Sequence, residues 1–287
     1  MVSTLPFLSC EPGESRKDSD APFPDEEAND EEMKDIDLPD SEMVLVPAGI
    51  FMMGCDDAKD DTCGVGEKPI HEVFLSPYRI DINEVTAGDY ERCVEANACF
   101  ESDFDRYITE PKGYERCNIY HEDVTRKRYP ANCVSWYGAD SYCKWLGRRL
   151  PTEAEWEKAA RGTDGRRYPW GDEPVPTCEY VGSMYNDENE PCPDGADSHE
   201  VGTFPKGASP YGVMDMLGNV GEWVQDWDDG KPYPSDLQEN PQGPSSGTWK
   251  MFRGLNFVTP VADFSITRRS SMWPVGKFWE TGFRCAR

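Results

Sequence analysis

The stretch Tyr211-Gly-Val-Met-Asp-Met-Leu-Gly-Asn-Val-Gly-Glu-Trp-Val-Gln-Asp-Trp227 decides the fold, although it shows neither a helical nor a strand period. Its glycines allow positive φ angles or inward-facing carbonyls. Oxygen-bearing side chains recur along it at short spacing: Asp215, Asn219, Glu222 and Asp226. Loops bind calcium with such mixtures of carboxylates and main-chain carbonyls. A Gly-rich turn whose polar side chains bond their own backbone explains the same residues, so chemistry alone leaves both interpretations open.

Other segments of the chain accompany this stretch in a fixed order. They are Met43-Val-Leu-Val-Pro-Ala-Gly-Ile-Phe-Met-Met-Gly54, Pro130-Ala-Asn-Cys-Val-Ser-Trp136, Arg149-Leu-Pro-Thr-Glu-Ala-Glu-Trp-Glu-Lys-Ala-Ala-Arg-Gly162, Tyr168-Pro-Trp-Gly171 and Thr281-Gly-Phe-Arg-Cys285. With the central Gly-Asn-x-x-Glu-Trp signature, they make the chain resemble the formylglycine-generating enzyme family, also called sulfatase-modifying factors. The resemblance implies an α+β domain of the C-type-lectin-like type, with low regular secondary structure and several disulfides.

Composition limits the class of protein. The chain has 287 residues, 37% of them hydrophobic, which is compatible with one packed domain and a tail. Its formal charge of −26 argues against nucleic acid as a partner, because phosphate binding needs clustered Lys and Arg. An acidic surface of this kind favours solubility and attracts cations.

The eleven cysteines are mostly spaced in pairs: Cys55 and Cys63, Cys93 and Cys99, Cys117 and Cys133, Cys178 and Cys192. This pattern indicates disulfides and an oxidising compartment. Zinc is disfavoured, since the chain has no Cys-x-x-Cys and only three His. The family resemblance further implies a bridge between Cys143 and Cys285, which would leave Cys10 alone.

Residues 1–42 are predicted to be a disordered acidic tail, and residues 43–287 the folded domain. Residues 11–42 contain 14 acidic and three basic residues, too polar a mixture to bury a core. Phe7-Leu-Ser-Cys10 is similar to the end of a bacterial lipoprotein signal, and an incidental thiol is the alternative. We therefore expect an exported protein, periplasmic or on a bacterial cell surface, with Cys10 as a candidate membrane tether.

Short periodic runs predict the regular elements. Met43–Val46 and Ile50–Met53 are predicted strands separated by a turn, and residues 71–75 and 78–82 a further strand pair. Helices are predicted from Thr86 to about Ala96, from Ser135 to Gly147, and from Glu153 to Arg161.

In the third of these helices, Thr152 and Glu155 form a capping box, which gives Glu155 a structural role. Helical spacing places Trp156 with three alanines toward the core. The same spacing predicts that Glu153, Glu157 and Lys158 face water.

The resemblance also implies a structural calcium site. Asp215 and Glu222 would bind calcium by their side chains, and Gly218 and Val220 by their carbonyls. The family's other calcium site is not predicted here, because its Asn position falls on Gly182 and its Asp position only uncertainly on Asp194.

Copper is not expected. The family's oxidases bind copper(I) with two cysteines, and the matching positions here are Thr259 and Phe264. Neither side chain is the soft thiolate that copper(I) requires, and no cysteine occurs between Cys192 and Cys285. Two other family positions also differ, at Gly221 and Asn256. Polar groups remain near this pocket and are expected to be structural rather than catalytic: Asp263, Arg268, Arg269 and Glu280.

These features predict an exported, calcium-stabilised pseudoenzyme that binds a protein or a glycan. Variable loops on a rigid crosslinked frame suit recognition. The alternative is a family enzyme, an oxidoreductase of the formylglycine-generating type or one with altered chemistry. A cleft near Thr259 and Asn256 with converging ionisable groups would favour the enzyme.

Overall fold

The computed structural model describes residues 39, 41–58, 60, 63–99, 116–120, 124–186, 190–193 and 197–287. Most of the predicted tail and all of the segment 100–115 lie outside these ranges. The described residues form one compact unit. The strands within it are β1 Met43–Val46, β2 Gly49–Met53, β3 His71–Leu75, β4 Tyr78–Asp81, β5 Gly221–Asp228, β6 Gln238–Glu239, β7 Trp249–Arg253, β8 Ser270–Met272 and β9 Thr281–Phe283. The helices are α1 Ala87–Glu95, α2 Trp136–Trp145 and α3 Glu153–Arg161. This mixture of short elements confirms the α+β prediction.

The central sheet has the strand order β8-β7-β5-β9. Strand β5, the second half of the glycine-rich stretch, pairs antiparallel with β7 and parallel with β9. The last strand of the chain therefore lies beside the signature stretch. Two smaller sheets, β2-β3-β6 and β1-β4, complete the described strands.

The predicted pairing of the strands at 71–75 and 78–82 is wrong. Strand β3 pairs with β2, whereas β4 pairs with β1, so the chain passes from one sheet to another between them. The connection is Ser76-Pro77. A two-residue hairpin turn needs positive φ angles, which favour Gly or Asn, and proline fixes φ near −65°. The connection therefore cannot fold the two strands onto each other.

All three predicted helices are present with their predicted caps. The side chains of Thr86, Ser135 and Thr152 accept hydrogen bonds from backbone amides of the first turns. Thr152 and Glu155 form the complete capping box, which satisfies two amides at the start of α3. Arg149 donates two hydrogen bonds of 2.6 Å to Glu155, which confirms the structural role of this carboxylate.

The prediction that one face of α3 meets water is wrong, because all nine residues of the helix are buried. Lys158 donates to the carbonyls of Pro47 and Gly49 at 2.9 and 2.8 Å. Glu157 bonds Arg161 at 2.9 Å and Arg253 at 2.7 Å. The polar face is thus covered by other segments that bring matching polar groups, which makes its burial tolerable.

Five disulfides crosslink the described chain, and each was predicted. They are Cys55–Cys63, Cys93–Cys99, Cys117–Cys133, Cys143–Cys285 and Cys178–Cys192. Four close short loops. The Cys143–Cys285 bridge spans 142 residues and ties α2 to the end of the chain.

Two large apolar clusters and one small cluster form the core. One large cluster surrounds Trp156 of α3, and the other surrounds Trp223 of β5, and both side chains are fully buried. The small cluster contains Tyr168, Val181, Leu217, Val261 and Phe264. The signature stretch contributes to all three, so it is the centre of the packing. No helix within the described ranges has the length and apolar character needed to cross a membrane.

Candidate functional site

The turn that precedes β5 holds three of the predicted calcium ligands, and the fourth, Glu222, lies within β5. Asp215, Gly218 and Asn219 have φ angles of +57°, +79° and +53°, the left-handed region. At Gly218 this conformation is combined with close packing, since a Cβ atom would lie 2.6 Å from the carbonyl oxygen of Gly182. The sequence therefore needs glycine here to keep the turn against the 182 segment.

Glu222 is paired with Arg284 in the interior. Both side chains have no exposed surface, and Arg284 Nη2 lies 2.6 Å from Glu222 Oε1. Glu222 Oε2 accepts hydrogen bonds from Arg284 Nε at 2.7 Å and from Trp156 Nε1 at 2.8 Å. This buried ion pair links β5, α3 and the terminal Gly-Phe-Arg-Cys motif, which explains why these three sequence motifs occur together.

A third carboxylate, Glu84, lies beside the same turn and was missed by the sequence analysis. It is buried, and it accepts hydrogen bonds from Asn219 Nδ2 at 2.6 Å and from Val220 N at 3.2 Å. Burial raises the pKa of Glu84 well above its ordinary value, and the charges of Asp215 and Glu222 raise it further. No periodicity marks Glu84 in the sequence, because it follows β4 in an irregular segment.

Asp215 is also buried without a cationic hydrogen-bond partner in the described chain. Its Oδ2 accepts a hydrogen bond from Gly202 N at 2.6 Å. Burial raises the pKa of Asp215 to about 6, and this bond and Arg284 lower it only in part. Asp215, Glu84 and Glu222 thus surround a single guanidinium, Arg284, which leaves an excess of negative charge.

Calcium fits this excess of charge and the oxygen chemistry of the turn. The described residues contain no group of three or more His, Cys, Asp or Glu side chains placed to hold a metal, so main-chain carbonyls would have to complete a site. Asp215 and the carbonyls of Gly218 and Val220 could supply such ligands. The fit of Glu222 is poorer, because both of its oxygens already accept hydrogen bonds from Arg284 or Trp156. The other family calcium position, Asp194, lies outside the described residues.

The two positions that the family resemblance matches to the copper cysteines, Thr259 and Phe264, lie in a local turn and in an apolar cluster. Phe264 is 1% exposed and lies in the small apolar cluster. Thr259 and Asn256 contact each other through Oγ1 and Oδ1 at 3.4 Å. The main-chain oxygen of Thr259 accepts a hydrogen bond from Ser183 at 2.8 Å. The polar groups of Thr259, Asn256 and Ser183 therefore bond one another.

Gly221 packs closely against the ring of Phe252 on the neighbouring strand β7. The family resemblance places an aromatic residue here, but a Cβ atom at 221 would lie 2.8 Å from the ring of Phe252. The ring of Phe252 therefore takes space that a larger side chain at 221 would need. This agrees with a reorganised pocket.

The cysteines offer no pair of free thiols. The chain has eleven, and the five disulfides use ten of them. The remaining one, Cys10, lies outside the described residues. Two unbridged thiols cannot meet beside residues 253–264 while these disulfides are intact.

Two of the four other polar groups named near this pocket have structural partners, and a third is exposed to solvent. Arg268 pairs with Glu67 at 3.2 Å, Arg269 pairs with Glu153 at 2.7 Å, and Asp263 is exposed. Glu280 differs, because its Oε2 is buried and has no hydrogen-bond partner in the described chain. Burial raises the pKa of Glu280.

Comparison with known proteins places this geometry in context. A family described as "Sulfatase-modifying factor enzyme 1-like domain" matches residues 29–287. The formylglycine-generating enzyme of Thermomonospora curvata is 30% identical over 290 residues, which cover 85% of this chain and 92% of that enzyme. The serine/threonine-protein kinase pkn1 of Chlamydia caviae is 33% identical over 256 residues. That match covers 86% of this chain, which spans only 38% of the length of the kinase.

Two solved structures share the fold. PvdO from Pseudomonas aeruginosa has a TM-score of 0.64 and 28% identity, and the match covers 86% of this chain and 94% of PvdO. Treponema denticola variable protein 1 has a TM-score of 0.65 and 23% identity, with 85% of this chain and 94% of that chain covered. At this identity the second likeness concerns the fold alone.

Proposed function

The chain belongs to the family of sulfatase-modifying factor enzyme 1-like domains, and we propose that it is an exported, calcium-stabilised and non-catalytic member that binds a protein or a glycan. The observation that carries the proposal is the burial of Phe264 together with the use of ten of eleven cysteines in disulfides. Copper(I) chemistry requires soft thiolate ligands, and no pair of thiolates is free to provide them.

Export and calcium are supported by independent features. Five disulfides persist best in an oxidising compartment outside the cytosol. The excess of buried carboxylates around Arg284 supports a bound cation. A rigid frame that holds irregular loops supports binding as the activity, since loops on such frames commonly carry recognition. The kinase activity of the chlamydial relatives is not proposed for this chain, which spans 38% of their length.

An enzyme of the family, an oxidoreductase of the formylglycine-generating type or one with altered chemistry, is the second candidate, and Glu280 favours it. A half-buried carboxyl group with a raised pKa and a buried, unpaired oxygen is a common feature of active sites. Glu280 precedes β9, and its carbonyl accepts a hydrogen bond from Gly221 N at 2.9 Å. It therefore lies beside the remodelled part of the pocket.

One assay separates the two candidates. The full chain is incubated with a peptide of a cysteine-type sulfatase, oxygen and copper, and the product is measured by mass spectrometry beside the Thermomonospora curvata enzyme as positive control. We expect no formylglycine from this chain. Formylglycine formation by the wild type that is lost in Glu280→Gln would overturn the non-catalytic proposal and support the second candidate.

A further inference from the structure

A cavity of about 300 Å³ lies between the start of α3 and the segment that joins β5 to β7. Its walls are mixed, with apolar side chains and rings beside charged and amide side chains; the apolar ones are Met53, Tyr233, Pro232, Pro234, Pro241 and Pro244. The volume is at the lower end of that of small-molecule sites. The apolar part of the walls suits the body of an organic molecule, and the polar part suits a polar end group.

The charge of Glu153, which lines the cavity, is already balanced. Its Oε1 lies 2.8 Å from Arg253 Nη1 and 2.7 Å from Arg269 Nε. Its Oε2 accepts a hydrogen bond from Arg269 Nη2 at 2.9 Å, and Tyr233 donates to Oε1 at 3.2 Å. The remaining donor of Arg269, Nη1, bonds the carbonyl of Gly66. The charges of Glu153 and Arg269 are thus already paired within a closed network. Neither side chain is available to pair with the charge of a ligand.

Asp226 is the acid in the cavity wall that lacks such a partner. It is 6% exposed, and its Oδ2 accepts a hydrogen bond from Glu153 N at 2.7 Å. No donor within the described residues bonds its Oδ1. The loop from β6 to β7 crosses this oxygen at Gly243, where φ is +68° and a Cβ atom would lie 2.5 Å from Oδ1. A glycine is needed at 243 so that the loop can pass over the carboxylate.

Burial, together with the charge of Glu153, raises the pKa of Asp226 to about 7. The hydrogen bond from Glu153 N and the charge of Arg269 lower it in part. The charge of Lys250 interacts with that of Asp226, but the ammonium group of Lys250 donates its hydrogen bond to the carbonyl of Gln225 at 2.7 Å. The titratable and charged groups that face Asp226 or share its cavity are His71, Glu153, Glu155, Asp229, Lys231, Tyr233, Lys250 and Arg269.

We propose that this cavity binds a small organic molecule with a protonated primary amine, whose ammonium group pairs with Asp226 and whose carbon chain lies against Tyr233 and the prolines. The ligand supplies the cation that the described chain does not place on Oδ1. The overall charge of −26 also favours the approach of a cation. The inference does not rest on the binding function proposed above.

The test is a calorimetric or NMR titration of the full chain with n-butylamine at pH 8, with butan-1-ol as the neutral probe of the same shape. We expect butylammonium to bind at least tenfold more tightly than butan-1-ol. Its affinity should fall about tenfold at pH 6, because a carboxyl group with a pKa of about 7 is then mostly protonated.

Asp226→Asn keeps the acceptor for Glu153 N but removes the charge, so it should weaken butylammonium at least tenfold and leave butan-1-ol unchanged. Asp229→Asn is the matched control, since Asp229 also lines the cavity but pairs with Lys231 at 2.8 Å. It should change the affinity less than twofold. Circular dichroism and melting of each variant check folding.

Three results would overturn the proposal. The first is equal or absent binding of the two probes by the wild type, and the second is an affinity that does not depend on pH between 6 and 8. The third is a loss of affinity in Asp229→Asn as large as that in Asp226→Asn. The first two use the wild-type protein, so they decide the matter even where a variant does not fold.

Discussion

Asp215 and Glu84 bring negative charge into the interior that Arg284 balances only in part. A carboxyl group whose pKa is raised by folding binds its proton more tightly in the folded than in the unfolded state. Stability from such a group is complete below the unfolded pKa and is lost as the pH rises through the folded value. For Asp215 this window runs from 3.8 to about 6.

This gives a prediction for the calcium site. In a chelator, the wild type should lose about 1–2 kcal/mol of stability through Asp215 between pH 5 and 7.5, since one pKa unit is worth about 1.4 kcal/mol. Calcium should reverse this loss at pH 7.5. At a hundred times its Kd, it should raise the free energy of unfolding by about 3 kcal/mol. Thermal and urea unfolding at both pH values, with and without calcium, measure these effects.

Asp215→Ala should abolish the response to calcium, whereas Asp164→Ala, which alters an exposed acid, should keep it. Asp215 is a cleaner target than Glu222, because removal of Glu222 would leave Arg284 buried without its main counter-ion. An unfolding midpoint that calcium does not change in the wild type at pH 7.5 would contradict the calcium proposal.

At the scale of the element, α3 combines correct local signals with a burial that its sequence does not reveal. The capping box at Thr152 and Glu155 depends on residues within one turn, so the sequence alone predicts it. The burial of Glu157 and Lys158 depends on Arg253 and on the carbonyl of Pro47, which are 96 and 111 residues away in the chain. No local pattern reports such partners.

The helix cap gives a prediction at this scale. Thr152→Ala should lower the free energy of unfolding by about 0.5–2 kcal/mol, because the amide of Glu155 would lose its acceptor at a buried helix start. Chemical unfolding measures the change. Thr163→Ala, just beyond the end of the same helix and exposed, is the control and should stay within about 0.5 kcal/mol. Equal effects of both substitutions would show that the cap has no special role.

The same limit applies to the strands and the site. The positions of the first four strands were predicted closely, but their partners depend on how Ser76-Pro77 directs the chain. Strands β5 to β9 were not predicted, and the alternation that places Asp226 with Glu222 along β5 was missed, while nothing in the sequence around Glu84 indicates its place beside the turn. Local chemistry thus predicted the first four strands and the three helices, and the long-range contacts supplied the rest.

At the scale of the whole molecule, the disulfides and buried ion pairs hold a frame with little regular structure. The bridge from Cys143 to Cys285 and the pair of Glu222 with Arg284 both fix the end of the chain to the centre of the fold. A crosslink across 142 residues restricts the unfolded chain far more than one across six, on the order of 5 against 2 kcal/mol in the chain-entropy account. The Cys143–Cys285 bridge is therefore the disulfide expected to contribute most to the stability of the frame.

The central claim is that this family fold is kept without a thiolate pair that could hold copper. The most direct test is a titration of copper(I) against the unreduced full chain in competition with a chromogenic copper(I) chelator, with the Thermomonospora curvata enzyme as positive control. The account predicts that the chain withdraws no copper from the chelator. Tight binding of one copper(I) per chain would contradict it.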